Sequence, residues 1–331
     1  MKTTSAKTIA LYNHIKTPVI ELQLTADGLQ LWHNILNIMA PWNPNSSKAY
    51  NTFKIPKANG KTRIIEEPKP QLKFIQRALL PLLQQLPRSP YVYGLGGIND
   101  AVSNGYYHVD SKVIVKMDVK AFFPSTTLTH YWKALDANKG ISDELFALLE
   151  HAASFMFIEK IKGEIRLPTG APTSPLVSSI CFGTADIELQ AIAWMMDMGY
   201  TRYMDDLTFS GNKYPPGLQK AVNAIIEKHG YKTNHKKSVV LYRDNHPQIV
   251  TGVGVNSTPG VGKAYKRKLR AELDTYARQG TSLGPLMLGK LNYVGMVNHL
   301  QKVKFLNYFE KRKQRWKEIH DQSSYPGPPI S

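Results

Sequence analysis

The feature that most constrains this chain is a pair of adjacent aspartates, Asp205 and Asp206, in the stretch "YTRYMDDLTFSGN" that starts at Tyr200. Tyr203, Met204, Leu207, Thr208 and Phe209 surround the pair, and such residues favour a pleated, half-buried setting. The pattern reads as strand, tight turn and strand. Burying an unpaired carboxylate is costly, so the fold must bring positive charge to this turn. A further aspartate, Asp118, ends a β-branched run in "KVIVKMDVKAFFPS". Three carboxylates placed at strand ends or turns can converge on one edge of a sheet. Oxygen-only donors, with no His or Cys in these stretches, favour hard cations such as magnesium. Two such ions can activate an attacking hydroxyl and steady a leaving phosphate.

Bulk charge points to a polyanion. The 331 residues hold 42 Lys and Arg against 25 Asp and Glu, a formal net charge of +17. The cations gather at Lys54 to Arg63, Lys263 to Arg270 and Lys302 to Lys317, and Phe305, Tyr308, Phe309 and Trp316 are interleaved in the last segment. Phosphate neutralisation releases counterions, and aromatic rings hold exposed bases. These segments lack the sustained apolar face of a membrane-surface helix. The longest apolar run, "AIAWMMDMGY" from Ala191, is interrupted too early to span a bilayer, so no membrane partner is expected. The opening "MKTTSAKTIALYNHIK" has no apolar core followed by a small-residue cleavage site, which argues against export. The single cysteine, Cys181, excludes an internal disulfide and a cysteine-cluster zinc site. A cytoplasmic location is the expectation.

Along the chain, "LQLWHNILNIM" from Leu29 has a helical pattern that ends at the "APWNPNSS" breaker. "YNTFKIPKANGKTRIIEEPKP" reads as a hairpin turning at Asn59-Gly60, and a helix is predicted from Gln71 to Gln85. A glycine-rich loop (Gly94, Gly96, Gly97) precedes the Asp118 strand. Ser174 to Met198 reads as one long buried helix closed by Gly199, and Leu218 to His229 as another that stops at Gly230. "YKRKLRAELDTYARQG" puts Leu269, Leu273 and Tyr276 on one stripe, with Gly280 as C-cap, and "VKFLNYFEKRKQRW" divides basic from apolar in the same way. "SYPGPPIS" at the end is expected to be disordered.

Several of these stretches together resemble the reverse transcriptases. "RYMDDLTFS" is similar to their palm hairpin, "KMDVKAFFPS" to their first metal-binding motif, and "LPTGAPTSPLVSS" to their "LPQGxxxSP" motif. "IPKANGKTRIIEEP" resembles the fingers hairpin and "NHKKS" the lysine-bearing motif after the palm helix, with all five in the expected order. The resemblance implies an α/β right-hand polymerase fold of the α+β kind, with fingers and palm carrying antiparallel sheet and a helical thumb. It implies a catalytic triad of Asp118, Asp205 and Asp206 holding two Mg2+ ions. Lys61 and Arg63 would pair with the incoming triphosphate of a dNTP. Phe123 would exclude a ribose 2′-hydroxyl, while its neighbour Phe122 packs in the core. Tyr203 and Met204 would lie against the primer terminus and nucleotide, and Pro168, Thr169 and Gly170 would form the floor beneath it. Thr169 stands where the family commonly has Gln, and its shorter hydroxyl cannot make the same amide contacts. Lys236 or Lys237 would protonate the departing pyrophosphate.

Two further stretches resemble the bacterial retron type. "NGYYH" is similar to the retron N-A-x-x-H motif, with Gly105 in place of Ala, and "VTG" to the motif beyond the palm. Met204 departs from the Ala more usual in retron enzymes. By this resemblance Asn104, His108, Val250, Thr251 and Gly252, with Lys266, Arg267 and Arg270 of the thumb helix, would bind RNA. The implied partners are a cognate structured non-coding RNA, its single-stranded DNA copy and an effector protein in antiphage defence. Priming would start from a 2′-hydroxyl and leave a branched RNA–DNA product. The corresponding organisation is an N-terminal helical extension over 1–48, interleaved fingers and palm over 49–245, a thumb over 246–320 and a disordered tail over 321–331. Rival readings are another stand-alone bacterial reverse transcriptase, of abortive-infection or group II-like type, and a non-catalytic RNA-binding scaffold.

Overall fold

The structure is a computed structural model that describes residues 26–39, 46–56, 60–95, 100–138, 141–159 and 163–323. Strands β1 (Tyr50–Pro56) and β2 (Thr62–Pro68) form the first hairpin, antiparallel along their whole length. Gly60 takes the left-handed turn position at φ +76° that glycine adopts freely. Asn59, the other expected turn residue, lies outside the described residues, as do Gly96, Gly97 and the "SYPGPPIS" tail. Next come β3 (Val92–Tyr93), β4 (Val113–Asp118) and a small ribbon of β5 (Ile158–Glu159) with β6 (Ile165–Arg166). Then follow β7 (Met198–Tyr203), β8 (Asp206–Gly211) and β9 (Val239–Tyr242). A final small sheet joins β10 (Ile249–Val250), β11 (Val253–Gly254) and β12 (Gly260–Val261).

The central sheet has five strands in the order β3-β7-β8-β4-β9. Only β3 and β7 run parallel; β7 with β8, β8 with β4 and β4 with β9 are antiparallel. In this register Asp206 faces Tyr203 across the β7–β8 turn and Asp118 on β4. Val113, Val115, Met117, Leu207 and Phe209 are buried, so β4 and β8 are fixed in register by apolar residues. Under the sheet lie helices Gly183–Met195 and Leu218–Lys228, while Leu176, Val177 and Ile180 of helix Ser174–Cys181 pack into a second core.

A second core joins Trp32 and Leu36 of helix Ala26–Met39 with Leu79 and Leu83 of helix Pro70–Gln84 and Leu148 and Phe155 of helix Asp143–Met156. A third core is built from the basic C-terminal helices, Lys263–Arg278, Pro285–Val297 and His299–Ser323. Leu269, Leu273 and Ala277 form its buried stripe, with Tyr276 half-buried beside them, and Gly280 closes the first helix at φ +66°. Val102 and Ile114 belong to this third core too, so it is continuous with the central sheet.

One expected element differs. Ser174 to Met198 is two helices bent by 56°, with Phe182 at the joint, and Met198 already belongs to β7. Gly199 lies within β7 rather than capping a helix; a Cβ there would come within 2.8 Å of the Tyr107 ring. Among the described residues no single helix is long and apolar enough to cross a membrane, and only this bent pair passes on combined length and composition.

Candidate active site

The β7–β8 turn brings Asp205 and Asp206 to the end of β4, beside buried Asp118. Met204 makes the turn in the left-handed region at φ +56°, a conformation that costs a side-chain-bearing residue about 1–3 kcal/mol. The Val119 N–H donates to the Asp205 carbonyl at 2.8 Å and ties the turn to β4. The Asn234 N–H donates to the Asp118 carbonyl, also at 2.8 Å, so the His235–Lys237 turn is fastened to the same strand end.

That attachment answers the demand for positive charge. Lys237 Nζ donates to Asp118 Oδ1, and this bond, with the neighbouring acids, raises the lysine above its usual value. Lys236 and Lys237 are both exposed, and Lys237 is the one bonded to the acids, at Asp118. Burial and then the Asp118 charge raise the Asp205 carboxyl above the usual carboxylate range, against lowering by Lys237 and Arg63. Burial and then Asp205 raise Asp206, with Lys116 opposing. The nearby cations therefore do not fully compensate the acids.

A hard divalent cation matches that deficit and the all-oxygen donor set. Among the described residues no three His, Cys, Asp or Glu side chains are grouped closely enough to hold a metal ion, and Lys237 is bonded to Asp118 Oδ1. The fit is thus one of charge and donor type, and sharing a cation among all three acids requires their side chains to come closer together than they stand here.

Lys61 and Arg63 are exposed on the β1–β2 hairpin, and the Arg63 charge reaches Asp205. Ala121, left-handed at φ +50°, opens the single helical turn Phe122–Ser125. Phe122 turns inward, with ring centroids 5.5 Å from Phe182 and 5.9 Å from Tyr231, while Phe123 stays half-buried. Pro168 is buried, Thr169 half-buried and Gly170 exposed. The backbone holds this loop: the Glu66 N–H donates to the Thr169 carbonyl at 2.7 Å and the Thr169 N–H to Glu66 Oε2 at 3.1 Å. Gly170 has φ +129°, and a Cβ there would meet the Glu66 carbonyl oxygen at 3.0 Å. Tyr203 is half-buried and packs over Gly94, where a Cβ would come within 2.5 Å of its ring.

The expected RNA contacts need correction at three positions. Asn104, His108 and Val250 are buried and present no side chain to solvent. Thr201 Oγ1 donates to Asn104 Oδ1 at 2.6 Å, so His108 Nε2 must donate to Thr201, at 2.7 Å. His108 Nδ1 then accepts from Ser210 Oγ at 2.8 Å. Burial pushes this imidazole down to about 3, leaving no charge for a phosphate. Asn104 Nδ2 donates to Thr251 Oγ1 at 3.4 Å, and Thr251 in turn donates to the Ala101 carbonyl. These residues form a polar joint between helix Ala101–Tyr107, the central sheet and the C-terminal core. Gly105 is part of it, since a Cβ there would lie 2.6 Å from Val253 Cβ. Half-buried Thr251 and exposed Gly252 sit at φ +46° and +87°, and Lys266 is half-buried while Arg267 and Arg270 are exposed. The Arg270 guanidinium lies 5.7 Å from the Phe305 ring centroid. Removing both Thr251 hydrogen bonds with Thr251→Val is expected to weaken extension on structured RNA and on a generic primer–template alike; loss confined to structured RNA would make Thr251 a direct contact.

Sequence reasoning gave no role to Arg202, Asp186, Glu66, Arg166 or Lys116. One signal was available. Arg202 precedes "YMDD" inside an apolar strand, where a cation needs a buried partner.

A sequence profile described as reverse transcriptase (RNA-dependent DNA polymerase) matches residues 55–308. The chain belongs to the reverse transcriptase family. Among its curated relatives are the retron Mx65 and retron Mx162 reverse transcriptases of Myxococcus xanthus. The first is 32% identical over 75% of this chain and 61% of that protein, the second 32% over 72% and 56%. The retron Ec83 reverse transcriptase of Escherichia coli is 30% identical over 76% of this chain and 80% of its own length. This reverse transcriptase is therefore of retron type, although it spans less than two thirds of the two Myxococcus proteins. The family generally uses divalent metal ions. Among solved structures, telomerase from Candida tropicalis with a telomeric RNA fragment aligns over 86% of this chain and 56% of its own, at TM-score 0.48 and 14% identity, too loosely to add to the assignment.

Proposed function

We propose that the chain is an RNA-directed DNA polymerase that binds a cognate structured non-coding RNA and copies part of it into single-stranded DNA. The observation that carries this reading is the register that sets Asp118 against Asp206, with Asp205 in the same turn and the carboxyls of Asp205 and Asp206 raised by burial and mutual repulsion. When bound, two Mg2+ ions would supply Lewis acidity at the attacking and leaving oxygens. Asp118, Asp205 and Asp206 would hold them. Lys61 and Arg63 take the triphosphate of the incoming dNTP. Pro168 to Gly170 form its floor, and Tyr203 with Met204 lies against the primer end. Lys237 keeps a proton close to Asp118, where a departing pyrophosphate can receive it.

Arg267, Arg270, Lys266 and the Thr251–Gly252 turn form the RNA-facing side, braced from beneath by Asn104, His108 and Val250. Priming from an RNA 2′-hydroxyl, a branched product and a paired effector protein in phage defence complete the reading. The domain boundaries at 48, 245 and 320 belong to it as well.

The test is extension with purified protein, the structured RNA that co-purifies with it, dNTPs and magnesium, followed by debranching of the product. DNA joined to RNA through a 2′ linkage supports the reading; no DNA synthesis under these conditions removes it. Phe123→Ala is expected to admit ribonucleotides, raising their use relative to dNTPs by about tenfold or more, since steric exclusion is then lost. Unchanged discrimination would place the gate elsewhere.

A further inference from the structure

Arg202 lies in β7, directly before Tyr203, and is fully buried together with Asp186. Its Nε and Nη2 donate to Asp186 Oδ1 and Oδ2 at 2.8 and 2.7 Å, and Nη2 also donates to Ser179 Oγ at 3.2 Å. The guanidinium carbon lies 4.8 Å from the Phe182 ring centroid and 5.6 Å from that of Phe122. Tyr200 completes the setting by donating to Asp186 Oδ1 at 2.8 Å. The remaining nitrogen reaches the catalytic turn: Nη1 donates to the Met204 carbonyl at 3.0 Å.

A buried ion pair seldom adds stability over apolar packing of equal volume, so its contribution here is geometric. The geometry in question is unusual. Met204 is left-handed, and a residue with a side chain stays in that region only where its surroundings over-determine it. The Arg202 bond to the Met204 carbonyl and the Val119 bond to the Asp205 carbonyl grip the turn at successive residues.

We propose that Arg202 is a positioning residue for the catalytic turn: anchored by Asp186 and Ser179 and stacked against Phe122 and Phe182, it holds the Met204 carbonyl and thereby sets the placement of Asp205 and Asp206. The inference rests on the polymerase reading of that turn. Arg202 touches neither primer nor nucleotide, so its loss acts on the chemical step rather than on binding.

The test is Arg202→Lys, which keeps the charge but replaces a rigid fork by one ammonium that cannot serve Asp186 and Met204 together. Its kcat is expected to fall about ten- to a hundredfold, as a small misplacement of reacting groups does. The KM values for dNTP and primer–template should stay within about twofold, because ground-state binding is untouched. The loss should shrink in a Met204→Gly background, where the turn adopts positive φ without help. Wild-type kcat in Arg202→Lys, or an equal fold-loss in both backgrounds, would overturn the proposal and leave Arg202 a packing residue. If Arg202→Lys does not fold, Asp186→Asn in the same two backgrounds carries the comparison, since it loosens the anchor and keeps the guanidinium. Hydrogen exchange of the Val119 amide gives a readout independent of activity. Faster exchange in the variant supports the brace, and unchanged exchange refutes it. Wild-type protein unable to extend any primer would instead overturn the polymerase reading, with the exchange result still deciding whether Arg202 holds the turn.

Discussion

Asp205→Asn is expected to abolish primer extension while leaving the metal-free protein at least as stable as wild type near neutral pH. The activity loss follows from removing one charge that neutralises and positions phosphoryl transfer; a deficit of about 4 kcal/mol corresponds to roughly a thousandfold. The stability effect has the opposite sign for a physical reason. Burial and Asp118 raise the Asp205 carboxyl, and burial and Asp205 raise that of Asp206. Below the ordinary carboxylate range both folded and unfolded chains are protonated, and the full contribution of these groups to stability is present. As pH rises, the unfolded chain ionises first. The native state follows only through its raised values, so that stability is lost toward neutral pH. Asparagine cannot ionise and escapes the loss. Melting in chelator should therefore show the variant gaining on wild type as pH rises from the ordinary carboxylate range through the raised native values, and added magnesium should stabilise wild type more than the variant. Extension retained at roughly a tenth of the wild-type rate or better would remove Asp205 from the reaction.

How much of this was legible beforehand depended on the range of the interactions involved. The Asp118 strand and the Asp205–Asp206 hairpin were readable because their β-branched and aromatic residues are local signals, and the register that unites them follows from which faces are apolar. The break at Phe182 was not readable. Both helices of the bent pair are rich in apolar residues, so no periodicity marks the joint, and Gly199 gives the same signal as a C-cap although a tyrosine ring is what requires it. The buried polar residues were the least legible. Asn104 meets Thr251 across 147 positions and Glu66 meets Arg166 across 100, and short motifs cannot distinguish a side chain facing RNA from one facing its own interior. Lys237 was separated from Lys236 only by the main-chain bond that brings the turn to Asp118.

The Glu66–Arg166 pair yields the largest expected stability change. Arg166 Nη1 and Nη2 donate to Glu66 Oε2 and Oε1 at 2.9 and 2.6 Å, and both side chains are nearly inaccessible, at 4% and 9% exposure. Glu66 lies three residues after Arg63 on β2, and its backbone and carboxylate together hold Thr169. Glu66→Gln leaves a buried guanidinium without its counter-charge, which costs about 3–5 kcal/mol, a large share of the ~5–15 kcal/mol that domains possess. Denaturant unfolding should register that loss. Replacing both partners by methionine removes the orphaned charge along with the pair, so most of the stability should return. The nucleotide site should not recover with it, because methionine cannot accept from the Thr169 N–H or grip the hairpin bidentately. We therefore expect a raised dNTP KM in both Glu66→Gln and the double variant, with kcat on saturating dNTP less affected. Recovery of KM together with stability would reduce the pair to a packing feature. A KM that stays high in a refolded core would show that it sets the distance between the phosphate-binding hairpin and the floor under the nucleotide.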